Sequence, residues 1–245
     1  MASAPRDRRS DSPPLATDGI VYGRNPVREL IRAKRRVVDL VHVTDQVAGA
    51  PWLDGVPKRV TNSEIVAEIA GTHDHQGIVA ECSGYPYAEL AELIGKPGVV
   101  IVLDEITDPR NVGAIARTAE ATGAIGLVIP ERRSAHVTAT VCKTSAGAIE
   151  HLKVALVRNV ADAVADLKAG GAWTYGAAMG GTPVGDLDLT GSVALVMGGE
   201  GKGLRPRVAE ACDAQVSLTM VGNVDSLNVS AAAAVLMYAA FTAQR

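Results

Sequence analysis

Three stretches of this sequence place polar side chains and glycines directly after apolar runs that read as buried strands. In an open parallel α/β sheet, ligands bind beyond the carboxyl ends of the strands, so chemistry is expected in such stretches. The first is LDEITDPRNVGAIARTAEATGA, a strand, a turn and then a helix. Arg110 and Arg117 are seven residues apart, which on a helix puts them on nearly one face, about 10 Å apart along the axis. Gly113 and Ala114 between them are small enough for a polyanionic backbone to come close. With Asn111 at the helix entrance, the arrangement fits a clamp for phosphate and ribose; it also fits an Asn cap followed by surface arginines.

The second stretch, ALVMGGEGKGLRPRV, surrounds Glu200 and Lys202 with Gly198, Gly199, Gly201 and Gly203. Such a loop brings backbone N–H groups close to a ligand. No G-x-x-x-x-G-K-[ST] can be read through Lys202, and Leu204 stands where G-x-G-x-x-G needs its last glycine, which argues against a nucleoside triphosphate site. The loop follows the fourth strand of its region instead of the first, so something other than an ordinary Rossmann site is implied. The third stretch, SLTMVGNVDSLNVSAAAAVLMYAAF, passes from a strand through a polar turn into an alanine-rich helix that is apolar nearly all round and wants burial. Ser226 or Asn228 either caps that helix or serves the site. The small alanines allow close packing against another helix, including one from a second subunit.

The elements that would position these residues lie in residues 99–245. Strands are expected at 99–104, 124–129, 172–178, 193–198 and 214–220, and helices at 111–122, 159–169 and 228–242. The nearly continuous apolar character of the strands indicates a parallel sheet covered on both faces. A smaller α/β unit is expected at 19–83, with a helix capped by Asn25 and started by Pro26, a strand over 37–43, a helix over 63–71 and a strand over 77–82. Residues 84–98 read as a linker. Residues 1–18 hold too few apolar side chains to offset the entropy of ordering and read as a flexible tail.

Net charge is -3, so no global pull towards nucleic acid exists and any RNA surface must be a local patch. One such patch is residues 24–36, where Arg24, Arg28, Arg32, Lys34, Arg35 and Arg36 face the single acid Glu29. Arg28, Arg32 and Arg35 or Arg36 share a stripe, which fits RNA contact or an ordinary solvated face. Cys82, Cys142 and Cys212 are odd in number and lack C-x-x-C spacing, which argues against a disulfide framework or zinc site and makes the cytoplasm the expected compartment. No membrane span or signal peptide is expected.

In order and character, the three stretches resemble the three motifs of the SpoU family of RNA ribose 2′-O-methyltransferases, within the knotted SPOUT superfamily. The first unit, including the HQGI stretch at 75–78, resembles the substrate-binding module that many members carry. The resemblance implies an α/β fold, a trefoil-knotted parallel-sheet catalytic domain preceded by a small α/β RNA-binding domain, acting as a homodimer without metal. It implies catalytic roles for Asn111, Arg117, Glu200, Ser226 and Asn228. S-adenosylmethionine is the implied cofactor, held by Gly176, Ala177, Ala178, Gly198, Gly199, Leu218, Met220 and Leu227, with Leu218 and Leu227 flanking the adenine. RNA is the implied partner, contacted by Arg28, Arg32, Arg36 and Arg110, and a guanosine of 23S rRNA is the expected target. Transfer RNA and a non-catalytic role in ribosome assembly are the alternatives. A guanidinium is a poor proton acceptor, so Arg117 is expected to grip phosphate and stabilise developing alkoxide, and the base stays open.

Overall fold

The computed structural model describes residues 19–245, and the tail expected for residues 1–18 lies outside them. The first unit runs β1 (Ile20–Tyr22), α1 (Arg24–Ala33), β2 (Val38–Val43), α2 (Asp45–Ala48), β3 (Lys58–Val60), α3 (Ser63–Ala70) and β4 (Ile78–Cys82). Its strand order is β1-β4-β2-β3, with β4 antiparallel to both neighbours and β3 parallel to β2. Neither β1 nor β3 carries a sequence signal, because three residues are too few to display a period of two. The start of α1 also differs from expectation. Gly23, at φ +97, occupies the cap position and Asn25 lies inside the first turn. The unpaired N–H of Arg24 finds the Gln76 side-chain oxygen at 3.0 Å.

The second unit runs β5 (Gly98–Asp104), α4 (Pro109–Ala121), β6 (Gly126–Pro130), α5 (Ala139–Thr144), β7 (Val154–Val157), α6 (Val160–Ala169), β8 (Trp173–Pro183), β9 (Ser192–Gly198), α7 (Pro206–Ala211), β10 (Ala214–Ser217) and α8 (Val229–Ala243). All its strand pairs are parallel, in the order β10-β8-β9-β5-β6-β7. Alternate residues of β5 feed opposite faces. Ile101 and Leu103 join Ile115 of α4 and Leu236 of α8, whereas Val100 and Val102 join Leu167 of α6 and Val208 of α7. This burial on both faces is what continuously apolar strands require. Short β7, α5 and α7 were not legible as elements.

Chain direction places the site. From β5 the sheet grows through β6 to β7, and the chain then crosses to the far side for β8, after which β9 inserts between β8 and β5. Strand order therefore reverses between β5 and β9, and at such a switch point the outgoing loops diverge to leave a crevice.

The expected linker is an ordered edge. The Ala88 N–H donates to the Val154 carbonyl at 2.8 Å, Tyr85 is buried with its hydroxyl on the Leu152 carbonyl at 2.6 Å, and Leu93 enters the second core. The two units also share a core and a buried ion pair, Arg36 to Glu150 at 3.1 Å. This corrects the expectation that Arg36 contacts RNA. Lys34, at φ 55, ends α1, so the following residues leave the helical stripe. Arg36 turns inward, with 2% of its side chain exposed.

Candidate active site

At this switch point β5 ends at Asp104 beside the end of β9 at Gly198. The loop after β9 folds back as a hairpin in which the Gly203 N–H donates to the Gly199 carbonyl at 3.0 Å. Its glycines are demanded by protein contacts before any ligand is considered. A Cβ on Gly198 would collide with the Gly203 backbone, and one on Gly199 would stand 2.7 Å from the Glu105 carbonyl. Asp104, fully buried, anchors the hairpin by accepting from the Arg205 backbone N–H at 3.0 Å and from its Nε at 2.8 Å. The hydrogen bond to Asp104 raises the guanidinium's pKa. Sequence reasoning missed this pair. Its only trace is an acid ending an apolar strand, which a surface acid shows equally well.

At the hairpin tip, Glu200 gathers the first and third segments. Its Oε1 accepts from Asn111 Nδ2 and, at 3.2 Å, from Asn228 Nδ2. Asn111 is buried in the first turn of α4, and the helix cap is Asp108, whose carboxylate accepts from the Arg110 N–H at 2.8 Å. The Asn111 amide is therefore spared for the site. Asn228 does both jobs: Oδ1 caps α8 by accepting from the Ser230 N–H at 2.9 Å, while Nδ2 reaches Glu200.

Arg117 and Ser226 stand apart from this network. Arg117 is six residues beyond Asn111, about 120° around the helix, and shares an exposed face with Arg110. Ser226 is exposed in the irregular stretch between β10 and α8. Gly113 is not where a polyanion approaches; it is buried against α5, and a Cβ there would collide with Thr144 Oγ1. On α1, Arg28 and Arg32 are exposed but both pair with Glu29, at 3.2 and 3.5 Å. Burial pushes the Glu29 carboxyl up, but bonds from His151 and Arg28 outweigh it and leave its pKa lowered.

The residues expected around a cofactor, Leu227 apart, lie at or just beyond the adjacent ends of β8, β9 and β10. Gly176 lies opposite Gln215, yet the next pair is Thr182 with Val216, so residues 177–181, including Ala177 and Ala178, bulge from the end of β8. Gly198 and Gly199 follow from adjacent β9. Leu218, half-buried, and Met220 and Leu227, exposed by 37% and 43%, follow from β10. Asp213 ties the β8 and β10 strands by accepting from the Thr174 N–H and hydroxyl at 3.0 and 2.8 Å. Backbone loops beside half-exposed apolar side chains fit S-adenosylmethionine, whose adenine needs apolar flanks and polar partners at its edge. Among the described residues no group of three or more His, Cys, Asp or Glu could hold a metal ion, and no helix is long and apolar enough to cross a membrane.

Comparison with known proteins identifies the family. Residues 98–238 match the family model of the SpoU rRNA Methylase family, and residues 20–88 match that of the RNA 2'-O ribose methyltransferase substrate binding domain. The chain is 38% identical over 237 residues to the putative TrmH family tRNA/rRNA methyltransferase YacO of Bacillus subtilis (strain 168), covering 89% of this chain and 93% of the relative. Among solved structures, the SpoU methyltransferase AviRb from Streptomyces viridochromogenes, crystallised in complex with AdoMet, superposes with a TM-score of 0.78 at 26% identity, covering 91% of this chain and 89% of the other. An AdoMet-bound rRNA methyltransferase from Sinorhizobium meliloti shares the fold, with a TM-score of 0.77 at 22% identity over 91% of this chain and 86% of the other. With both units matched and the three motif segments converging on one carboxylate, this chain belongs to the SpoU family of RNA methyltransferases.

Proposed function

We propose that this protein transfers a methyl group from S-adenosylmethionine to a ribose 2′-hydroxyl of RNA, with a guanosine of 23S rRNA as its target. The observation that carries the reading is the Glu200 carboxylate joined to Asn111 of the first segment and Asn228 of the third. S-adenosylmethionine supplies an activated methyl group on a sulfonium. Gly176, Ala177, Ala178, Gly198 and Gly199 would hold it through their backbone, with Leu218, Met220 and Leu227 as apolar flanks. Asn111 and Asn228, fixed by Glu200, orient the ribose, and Ser226, two residues before Asn228, offers a hydroxyl to it. Arg117 and Arg110, on one exposed helix face, grip phosphate, and Arg117 stabilises the alkoxide as the 2′-proton leaves.

A homodimer belongs to the same reading. The outer face of α8 exposes Val235 and Tyr238 on a helix that is apolar all round, and a second copy of the chain would cover it. Arg117, outside its own network, would then complete the site in one chain or across two. A trefoil threading of the C-terminal segments and a cytoplasmic location complete the proposal.

The test is transfer of radiolabelled methyl from S-adenosylmethionine to total RNA, followed by mapping of ribose methylation. Label is expected at a ribose 2′-oxygen, and Arg117→Ala should abolish it while Arg117→Lys restores only a small fraction, because an ammonium lacks the planar fork. Label on a base, or full activity of Arg117→Ala, would overturn the assignment.

A further inference from the structure

A cavity of about 810 Å³ opens on the first unit, where β2 and β3 end and α1 begins. No aliphatic side chain and no Phe, Tyr or Trp lines it; Arg24, Asp45, Asn62 and Gln76 are among its walls. The turn before β4 is built to shape it. Gln76 and Gly77 both adopt left-handed backbone, at φ 57 and 79, a conformation that costs energy at a glutamine. A Cβ at Gly77 would stand 2.6 Å from Thr44 Oγ1, so only glycine fits there. Buried His75 staples the turn, its Nδ1 accepting the Gly77 N–H at 3.0 Å. That bond assigns the ring proton to Nε2, which faces Ser63 Oγ at 3.4 Å. Burial, with His73 and Lys143 nearby, lowers the imidazole's pKa and so favours the neutral ring that the Gly77 bond requires, which makes His75 scaffolding.

The strained turn presents Gln76. Its Oε1 accepts the Arg24 N–H, and its backbone carbonyl accepts Arg24 Nε at 3.3 Å. The Gln76 amide nitrogen and the outer guanidinium nitrogens of Arg24 remain as donors at the cleft. Asn62 spends its oxygen on capping α3, where it accepts the Ile65 N–H at 2.9 Å, and keeps its own NH₂ group. Asp45 supplies a carboxylate acceptor. Donors and an acceptor together, with the exposed His73 ring also in the lining, suit the hydrogen-bonding edge and the face of one base. They do not suit a bare phosphate track, which Asp45 would repel.

We infer that this cleft takes one unpaired nucleotide of the RNA substrate, with Arg24 on its phosphate and Gln76, Asn62 and Asp45 on the edge of its base. The inference rests on the RNA-methyltransferase reading above. Sequence in RNA is read from bases splayed out of helices, and a cleft of this kind is how a small module does so. Its position supports the role. On one side of α5, Lys143 donates to the Asp74 carbonyl at 2.7 Å, beside the cleft; next to it, Thr144 Oγ1 donates to the carbonyl of Pro109, the first residue of α4, at 3.3 Å. A helix is roughly 10 Å across, so one RNA strand spans from the ribose at Asn111 to the cleft within a few nucleotides.

The experiment compares the full-length protein with Arg24→Gln and Gln76→Asn, the latter chosen because asparagine tolerates left-handed backbone. Binding of a short mixed-sequence unpaired RNA and of the fully paired duplex is followed by fluorescence anisotropy, and KM for total RNA by methyl incorporation. Unpaired RNA should bind tighter than the duplex. Both variants should bind it about tenfold more weakly, with KM raised to match, as expected for losing hydrogen bonds to a charged or amide group. Melting temperature should fall by no more than about 2–4 °C, the cost of one exposed hydrogen bond at the start of α1, and S-adenosylmethionine affinity by calorimetry should hold. Unchanged RNA affinity and KM in both variants, or equal binding of duplex, would overturn the cleft while leaving the methyltransferase intact. A wild type that binds unpaired RNA through Arg24 and Gln76 but never methylates it would overturn the enzymatic reading and leave the cleft standing.

Discussion

Asn228 shows how a single side chain can be both architecture and chemistry. Its oxygen caps α8 and its nitrogen holds Glu200, so substitution can separate the two uses. Asn228→Ser keeps a capping oxygen and should leave stability within about 0.5 kcal/mol, yet lower methyl transfer at least about tenfold through loss of the Glu200 contact. Asn228→Ala should lose activity and about 1 kcal/mol of stability as well. Urea unfolding beside a methylation assay separates the two; full activity in the serine variant would reduce Asn228 to a cap. Asn111 has no such double duty, because Asp108 relieves it of capping. The two asparagines were named from their motifs, but which of them caps a helix could not be read from spacing, since both stand within the first turn or cap of a helix.

At the scale of elements, the contact between α4 and α5 sets where Asn111 points. Alanine normally improves a helix interior over glycine by about 1 kcal/mol. Gly113→Ala should do the reverse here and destabilise by about 1–3 kcal/mol, because the new methyl meets Thr144 and the Ser145 backbone. Adding Thr144→Ala should recover part of that loss, measured as the melting temperature of the single and double variants. Stabilisation by Gly113→Ala alone would mean that the helices separate freely. The bulge at the end of β8 has a similar origin. It appears where pairing with β10 breaks, and an apolar run such as AWTYGAAMGG carries no mark of a break that depends on its neighbour.

For the molecule as a whole, the two units are locked by burial as well as by the chain between them. Arg36 and Glu150 lie almost wholly out of solvent, 114 residues apart in sequence. Arg36→Met would strand a buried carboxylate and should cost about 3–5 kcal/mol, whereas Arg36→Met with Glu150→Leu should regain more than half of it. A double variant as unstable as the sum of its parts would contradict this, as measured by chemical denaturation. Arg35 joins the same seam through the Glu150 carbonyl and the Tyr85 ring. Of the basic cluster on residues 24–36, then, Arg35 and Arg36 serve assembly of the molecule, and Arg24 serves the cleft.

Much of this protein is determined locally and was legible as such. Long apolar strands need two covered faces, so the parallel sheet follows from residues 99–104 and 193–198 alone, and the motif residues after those strands follow from the same logic. The short strands β1, β3 and β7, the Asp104–Arg205 anchor and the inward turn of Arg36 were not legible. Each depends on a partner more than forty residues away or on a period too short to register. The union of Asn111, Glu200 and Asn228 belongs to the tertiary structure in the same way. Strand order brings the end of β5 beside the end of β9, and a hydrogen bond across 89 residues exists only once that order is made.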